Sequence, residues 1–554
     1  MGFVTASYNG ATPLLQSGVL FRSVTKTSSS PKPGVTKFII LLEDGKRWLV
    51  YAWSPQGSGI DFTVIKNGLI QGTFFNGVIQ VAKDPGSGAE ALYDRACGAW
   101  AAGVNLSGAA SGVVGSYKFS FTKEGIADTT LLMFALPHHV SSFSPETRSA
   151  LANIKLTTTT KGTAVAVVAD SWTLNESLPT SLGFAPWDIQ RGELKYLSSG
   201  AIATLRSIAA SEISQNMSMQ TNLNSMYYSG KALAKFAQIT YVLNDLINDK
   251  ALAQAGLTKL KDCYRVFTSN RQQIPLVYDT IWGGIVSSAA YGGDPGADFG
   301  NTYYNDHHFH YGYFIYAAAL IGHLDPSWLN ENAGWVNTLV RDAANASPLD
   351  PYFPPFRNFD WYHGHSFAHG LYETFDGRDE ESSSEDAMSS YAIKLWGLVT
   401  GNANLEAQGN LLLAVTARSL QNYFLYANLN TVQPPNFIGN KVSGILFENK
   451  IDHTTYFGAN PEYVQGIHML PLLPCSALTR TKTFVLEEWE KYFSGGRAQA
   501  VNGGWRGVLM ANLAALDPRS SWNYFTDENF DVSGLDGGAS RTWYAAMAAM
   551  LGGI

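Results

Sequence analysis

Two stretches of this chain concentrate side chains that can move protons and hold a polar ligand. One runs Arg357-Asn358-Phe359-Asp360-Trp361-Tyr362-His363-Gly364-His365-Ser366 and is followed by Glu380-Glu381-Ser382-Ser383-Ser384-Glu385-Asp386. The other is Asn301-Thr302-Tyr303-Tyr304-Asn305-Asp306-His307-His308-Phe309-His310-Tyr311-Gly312-Tyr313. Aromatic faces beside Asp, Asn, His and Arg suit a sugar ring, which offers apolar CH faces and equatorial hydroxyls. Paired carboxyl groups in the same place suit hydrolysis, where one acid donates a proton and a second activates water.

Glu381 and Glu385 are four residues apart, and Tyr391, Leu395 and Leu398 read as an apolar stripe behind them, so both carboxylates are expected near the start of one helix. A helix N-terminus favours the ionised form, which suits a residue that takes a proton from water. The plainer alternative is a Ser- and Glu-rich helix start that only complements the dipole. Asp306 sits where an N-cap belongs, and capping lowers an acid's pKa, whereas a general acid needs it raised by burial or by another carboxylate. Repulsion from Glu381 or Glu385 would reverse the effect of capping, so a plain cap and a general acid both stay open. His307, His308 and His310 lack the i, i+4 spacing of a helical metal pair, and no metal or other cofactor is expected. Asp279 to Gly284, with Trp282, and Asp452 to Gly458, with Tyr456 and Phe457, complete the candidates, with Glu462 and His468 shortly after. Taken singly, Trp282, Tyr456 and Phe457 are more often core residues than sugar platforms.

The elements that must position these groups change texture along the chain. From 1 to 190, short β-branched or aromatic runs such as Phe38 to Leu42, Trp48 to Tyr51 and Tyr117 to Phe121 alternate with Gly, Pro, Asp and Asn, which reads as a β-sandwich. Residues 191–265 read as a small linking region, helical or α/β, with Leu233, Phe236, Ile239, Tyr241 and Leu243 at helical spacing. From 266 to 554, helices expected at 308–320, 384–400, 404–423 and 541–551 alternate with long loops, the texture of an (α/α) toroid whose loops gather into a cleft at one end.

Composition narrows the function. The chain is 45% hydrophobic and only 15% charged, which describes a globular protein rather than a disordered one. A net charge of −7 gives no field for phosphate backbones, so nucleic acid is excluded as a partner. No uninterrupted run of about 18 apolar residues reads as a membrane span, and no signal peptide is visible at Met1-Gly2-Phe3-Val4. Cys97, Cys263 and Cys475 allow one disulfide at most and no CxxC site. Asn105, Asn175, Asn216 and Asn345 head Asn-X-Ser/Thr triplets, weak support for an extracellular life.

At these residues the chain resembles family 81 of the glycoside hydrolases, the endo-β-1,3-glucanases of fungi and some bacteria. The matching motifs are Gly300 to Gly312, Arg357 to Ser366, Glu381-Ser-Ser-Ser-Glu385 and Pro461-Glu462-Tyr463 with Gly466-Ile467-His468; the likeness reaches upstream to Phe3-Val4-Thr5-Ala6 and Pro13 to Gly18. The resemblance implies a β-sandwich, a small linking domain, an (α/α)6 barrel and hydrolysis with inversion. It implies Asp306 as general acid and one of Glu381 and Glu385 as base, with a slight preference for Glu381; an inverting pair needs its carboxyl groups about 6.5–9.5 Å apart. Trp282, Tyr304, His307, His310, Asp360, Trp361, His365, Asp452, Tyr456 and Glu462 are the expected substrate-binding residues. The expected partner is β-1,3-glucan, acted on by a monomer outside the cell or in the cell wall. Members of the family carry a long β-rich stretch before the segment matching Phe3, so either a fragment or a sandwich with an exposed edge is expected. Two other classes stay open: a polysaccharide lyase using Tyr304, His307 and His365, disfavoured by having few cations beyond Arg357 and Arg378, and a glucan-binding protein without turnover.

Overall fold

The computed structural model describes residues 1–554 and divides into two compact units, 1–109 with 115–175, and 110–114 with 176–554. The first unit is rich in sheet. Strands β1 (Val4–Ala11), β2 (Phe21–Lys26), β3 (Val35–Leu42), β4 (Arg47–Trp53) and β5 (Phe75–Asp84) form one antiparallel sheet in the order β1-β5-β4-β3-β2. The β3–β4 hairpin pairs Val35 with Trp53 through to Leu41 with Arg47, and its turn contains Gly45. Period-two alternation sends Phe38, Ile40 and Leu42 of β3 and Val50 and Ala52 of β4 into a core shared with Phe62, Phe75 and Ile79. A second sheet orders β6 (Leu132–Ala135), β8 (Thr163–Val168) and β7 (Leu151–Thr157), with β8 between the other two.

The second unit is helical. Its longer helices are α1 (Ser199–Ile213), α2 (Met226–Tyr241), α3 (Lys250–Thr268), α4 (His307–Leu324), α5 (Leu329–Ala344), α6 (Ser383–Thr400), α7 (Ala403–Tyr423), α8 (Lys482–Tyr492), α9 (Gly504–Leu513), α10 (Pro518–Thr526) and α11 (Arg541–Ala548). The helices α1 to α3, expected in a separate linking region, share one apolar core with residues from Leu182 to Met550. Helix α6 ends at Gly401, whose left-handed conformation closes the last turn. All three cysteines are buried and free, and no helix is long and apolar enough to cross a membrane.

Helices α2, α4 and α6 pack side by side, α4 touching both neighbours, and are buried almost all round. That is why their sequences lack a polar stripe. The flanking α3 does show one: Ala253, Leu257, Leu260, Tyr264 and Phe267 are buried at three- and four-residue spacing. Close approach of α2 to α4 depends on Gly230, where a Cβ atom would stand 2.9 Å from Phe314 and 3.0 Å from Cβ of Tyr313. Replacing Gly230 with Val is therefore expected to lower stability by about 1–3 kcal/mol through overpacking, read as a lower denaturant midpoint; an unchanged midpoint would show that the two helices do not meet there.

Candidate active site

Asp306 stands immediately before α4, where the sequence places an N-cap, but its side chain makes no capping bond. The reason is its backbone: Asp306 has φ 60° and Tyr304 φ 70°, the left-handed region that non-glycine residues avoid, whereas a capping residue is normally extended. A second segment holds this turn in place. The Asp306 amide donates to the Ala368 carbonyl at 2.9 Å, the Gly370 amide to Asn305 Oδ1 at 2.6 Å, and the Leu371 amide to the Tyr303 carbonyl at 2.8 Å. Gly370 is required there, because a Cβ would lie 2.0 Å from the Tyr303 carbonyl oxygen. Freed from the helix amides, the Asp306 carboxyl is pushed well above the usual aspartate range by burial first, then by the charges of Asp379, Glu381, Glu385 and Asp298.

Glu381 lies before α6 rather than in it, because Ser382 is the N-cap and accepts from the Glu385 amide at 3.3 Å. Glu385 is thus in the first turn and Glu381 immediately before the cap, both near the start of one helix. The stripe behind them is also shorter than expected: Tyr391 and Leu395 are fully buried, but Leu398 is exposed. Glu381 accepts one bond, from the Tyr456 amide at 2.9 Å; burial, aided by Glu385 and Asp379, raises its pKa to about 7. Glu385 is almost fully buried, and its Oε1 accepts two phenol hydroxyls, from Tyr313 at 2.7 Å and Tyr227 at 2.8 Å. Burial raises the Glu385 pKa too, opposed by the charge of Lys231 and by bonds from Tyr313, Ser382 and Tyr227. For both glutamates desolvation opposes the helix dipole and leaves the pKa raised, for Glu381 to about 7.

Sequence models of the glycosyl hydrolase family 81 N-terminal and C-terminal domains match residues 1–189 and 196–545. The chain belongs to glycosyl hydrolase family 81. It is 55% identical to a glucan endo-1,3-beta-D-glucosidase of Arthroderma benhamiae over 99% of this chain and 61% of that protein. It is 44% identical to the primary septum glucan endo-1,3-beta-D-glucosidase of Schizosaccharomyces pombe over 100% of this chain and 54% of the other. The chain therefore spans little more than half the length of these relatives. A solved family 81 structure from Clostridium thermocellum superposes with a TM-score of 0.76 at 18% identity, covering 98% of this chain and 80% of that one, a likeness of fold.

The other residues expected to bind substrate in this family 81 chain fall into three groups. Trp282 and Tyr456 are 56% and 65% exposed, and Phe457 is 53% exposed and stacks on Trp505 at 5.8 Å, so these rings face solvent instead of filling the core. His307, His310 and His365 are buried, which corrects their reading as groups offered to a ligand. Both nitrogens of His307 are engaged, by Asp342 and by the Asn301 carbonyl at 2.8 Å. Burial first, against the pull of Asp298, lowers the His310 pKa to about 4. His365 Nδ1 lies 2.7 Å from the Ser366 carbonyl. Tyr304 is likewise buried, its hydroxyl donating to Asp279 at 2.8 Å beneath the Arg357 guanidinium. The third group is tied into local structure: Asp360 to His363 and Arg378, Asp452 to Lys450, Glu462 to Asn460, and Trp361 against Phe356 and Phe359.

Several residues that spacing did not single out reach the same place. Tyr227 and Lys231 come from α2, far from the motifs in sequence. Asp379 bonds the Tyr456 hydroxyl at 2.9 Å and His369 Nδ1 at 2.8 Å. Behind the site, His308, Glu380 and Asp386 place one donor atom each within 4.8 Å of one another, and His308 Nε2 lies 3.0 Å from Glu380 Oε1. Metal spacing among the histidines alone could not reveal that grouping. Burial, then neighbouring carboxylates, raises the Glu380 pKa strongly; burial against bonds from Ser366 puts Asp386 at about 6.

A carboxyl whose pKa is raised in the folded protein adds stability that is complete below its unfolded value and lost as pH rises through its folded value. For Glu381 that window runs from 4.5 to about 7. Moving a pKa by one corresponds to about 1.4 kcal/mol. Glu381→Gln should therefore gain stability relative to wild type as pH rises from 4.5 to 8; thermal unfolding of both proteins across that range measures it, and a constant difference would contradict the raised value.

Proposed function

We propose that this chain is an endo-acting hydrolase of β-1,3-glucan, working by an inverting two-carboxylate mechanism. Family membership and the names of the two fungal relatives support the reaction and the substrate. The observation that carries the mechanism is the uncapped, half-buried Asp306 with other carboxylates around it, since an acid that donates to a glycosidic oxygen must reach the reaction with its proton on. Side-by-side packing of α2, α4 and α6, each buried and each followed by a returning helix, supports an (α/α)6 barrel, and the sheet-rich unit supports a β-sandwich. The relative named for the primary septum supports an extracellular or cell-wall setting.

Between the two glutamates, the base is Glu385, which reverses the slight sequence preference for Glu381. A base must be ionised before it takes a proton. Two hydroxyl donors and Lys231 favour the Glu385 carboxylate, whereas Glu381, with one amide donor and a pKa of about 7, holds a proton under mildly acidic conditions. Exposed Tyr456, whose amide binds Glu381, offers a face for the sugar beside these acids.

The lyase reading loses its cations. Arg357 bonds the Gly283 carbonyl at 2.6 Å and lies over Tyr304, while Arg378 bonds Asp360 at 3.1 Å and Glu448 at 3.0 Å. Neither is spare to neutralise a uronate.

On a linear β-1,3-glucan, Asp306→Asn and Glu385→Gln are each expected to lower kcat by about 10²–10⁴-fold, with Glu381→Gln less affected. The first reducing ends seen by proton NMR should be the α anomer. Undiminished turnover by Asp306→Asn would reject the acid, a larger loss from Glu381→Gln than from Glu385→Gln would return the base to Glu381, and a β anomer would reject inversion.

A further inference from the structure

Asp379 is joined to Asp306 through the backbone and to Glu381 through Tyr456, yet it neither gives nor takes the proton in the proposed reaction. It belongs to the short strand Asp379–Glu380, and its backbone carbonyl accepts from the Ala368 amide at 2.8 Å, while the Ala368 carbonyl accepts from the Asp306 amide at 2.9 Å. A single residue, Ala368, thus ties Asp379 to Asp306. The Asp379 side chain is buried and fully engaged: Oδ2 accepts the Tyr456 hydroxyl at 2.9 Å, and Oδ1 lies 2.8 Å from His369 Nδ1. Tyr456 uses its amide on Glu381 as well, at 2.9 Å, so one residue spans both carboxyl groups. His369 Nε2 lies 2.8 Å from the Tyr372 carbonyl, which can only accept. Nε2 therefore carries a hydrogen, and the Nδ1–Oδ1 contact must hold a further proton.

We propose that Asp379, backed by His369, is a positioning residue whose charge keeps the proton on Asp306. This rests on the reading of Asp306 as the general acid. The groups facing Asp379 are Asp306 at the start of α4, Glu380 and Glu381 on its own segment, His369 from the preceding loop and Tyr456 from the loop before Pro461. Among the charges acting on Asp306, that of Asp379 is the largest, ahead of Glu381, Glu385 and Asp298. The bond to Asp379 in turn raises the His369 pKa, which favours placing the proton of the Nδ1–Oδ1 contact on the imidazole. The His369 charge partly offsets the field that Asp379 projects, which gives the two residues opposite effects on Asp306.

The opposite signs make the test. The basic limb of kcat/KM against pH on a soluble β-1,3-glucan oligosaccharide reports the essential acid of the free enzyme. Asp379→Asn keeps the shape and an acceptor for Tyr456 but removes the charge; its basic limb should move down by about one pH unit. His369→Gln removes the offsetting cation, and its basic limb should move up. A basic limb left at the wild-type position in both variants, whatever the loss in rate, would overturn the proposal and leave Asp379 a purely structural role. Should Asp379→Asn fail to fold, the direction for His369→Gln still decides: upward supports, unmoved or downward overturns. Asp306→Asn run alongside separates this from its parent, because an active Asp306→Asn would reject the acid itself.

Discussion

Carboxyl groups crowded into a pocket with few cations cannot all ionise, and the candidate active site of this chain is organised around that constraint. Asp306, Glu380, Glu381, Glu385 and Asp386 all have pKa values raised by burial, and the opposing charge acting on Glu385 is that of Lys231. In such a setting the protonation state of each acid is set by the hydrogen-bond donors it receives. Glu385 receives two phenols and Glu381 one amide, while no capping amide reaches Asp306. Unequal donation separates an acid from a base within one cluster of like groups, as paired carboxyl chemistry requires.

The fold supplies this separation through where its helices begin. Tyr227 lies in the first turn of α2, Asp306 immediately before α4 and Glu385 in the first turn of α6, so the starts of three adjacent helices meet around one set of carboxyls. Gly230 lets α2 approach α4 closely enough for Tyr227 and Tyr313 to reach the same oxygen of Glu385. On the loop side, the 368–371 segment presses on 303–306 through Gly370 and holds Asp306 in the left-handed conformation that denies it the helix amides. Strain at that position and the protonation of the acid have one cause.

Much of this is legible in the residues, and the failures have physical reasons. The helix boundaries at 383–400 and 403–423 follow from apolar spacing and from Gly401, and Asp306 at the start of a helix follows from its place before an apolar run. What residue type cannot show is desolvation. It argues for ionised glutamates from the dipole, and burial pushes both pKa values the other way. It reads His307, His310 and His365 as ligand-facing because histidines suit sugar clefts, but their nitrogens serve the protein itself. Trp282 and Tyr456, singly more often core residues, are expected at the substrate because of their neighbours, and both are exposed, as is Phe457. Tyr227 and Lys231 carry no signal, because a polar atom on an otherwise buried helix is recognised only once the opposite wall of the site is known.

A neutron structure of the deuterium-exchanged protein at neutral pH tests the central claim most directly, since it locates protons on carboxyl oxygens. The expected density shows a deuteron on Asp306 and none on Glu385, whose Oε1 accepts both tyrosine deuteroxyls. A bare Asp306 carboxylate beside a deuterated Glu385 would contradict the assignment of acid and base.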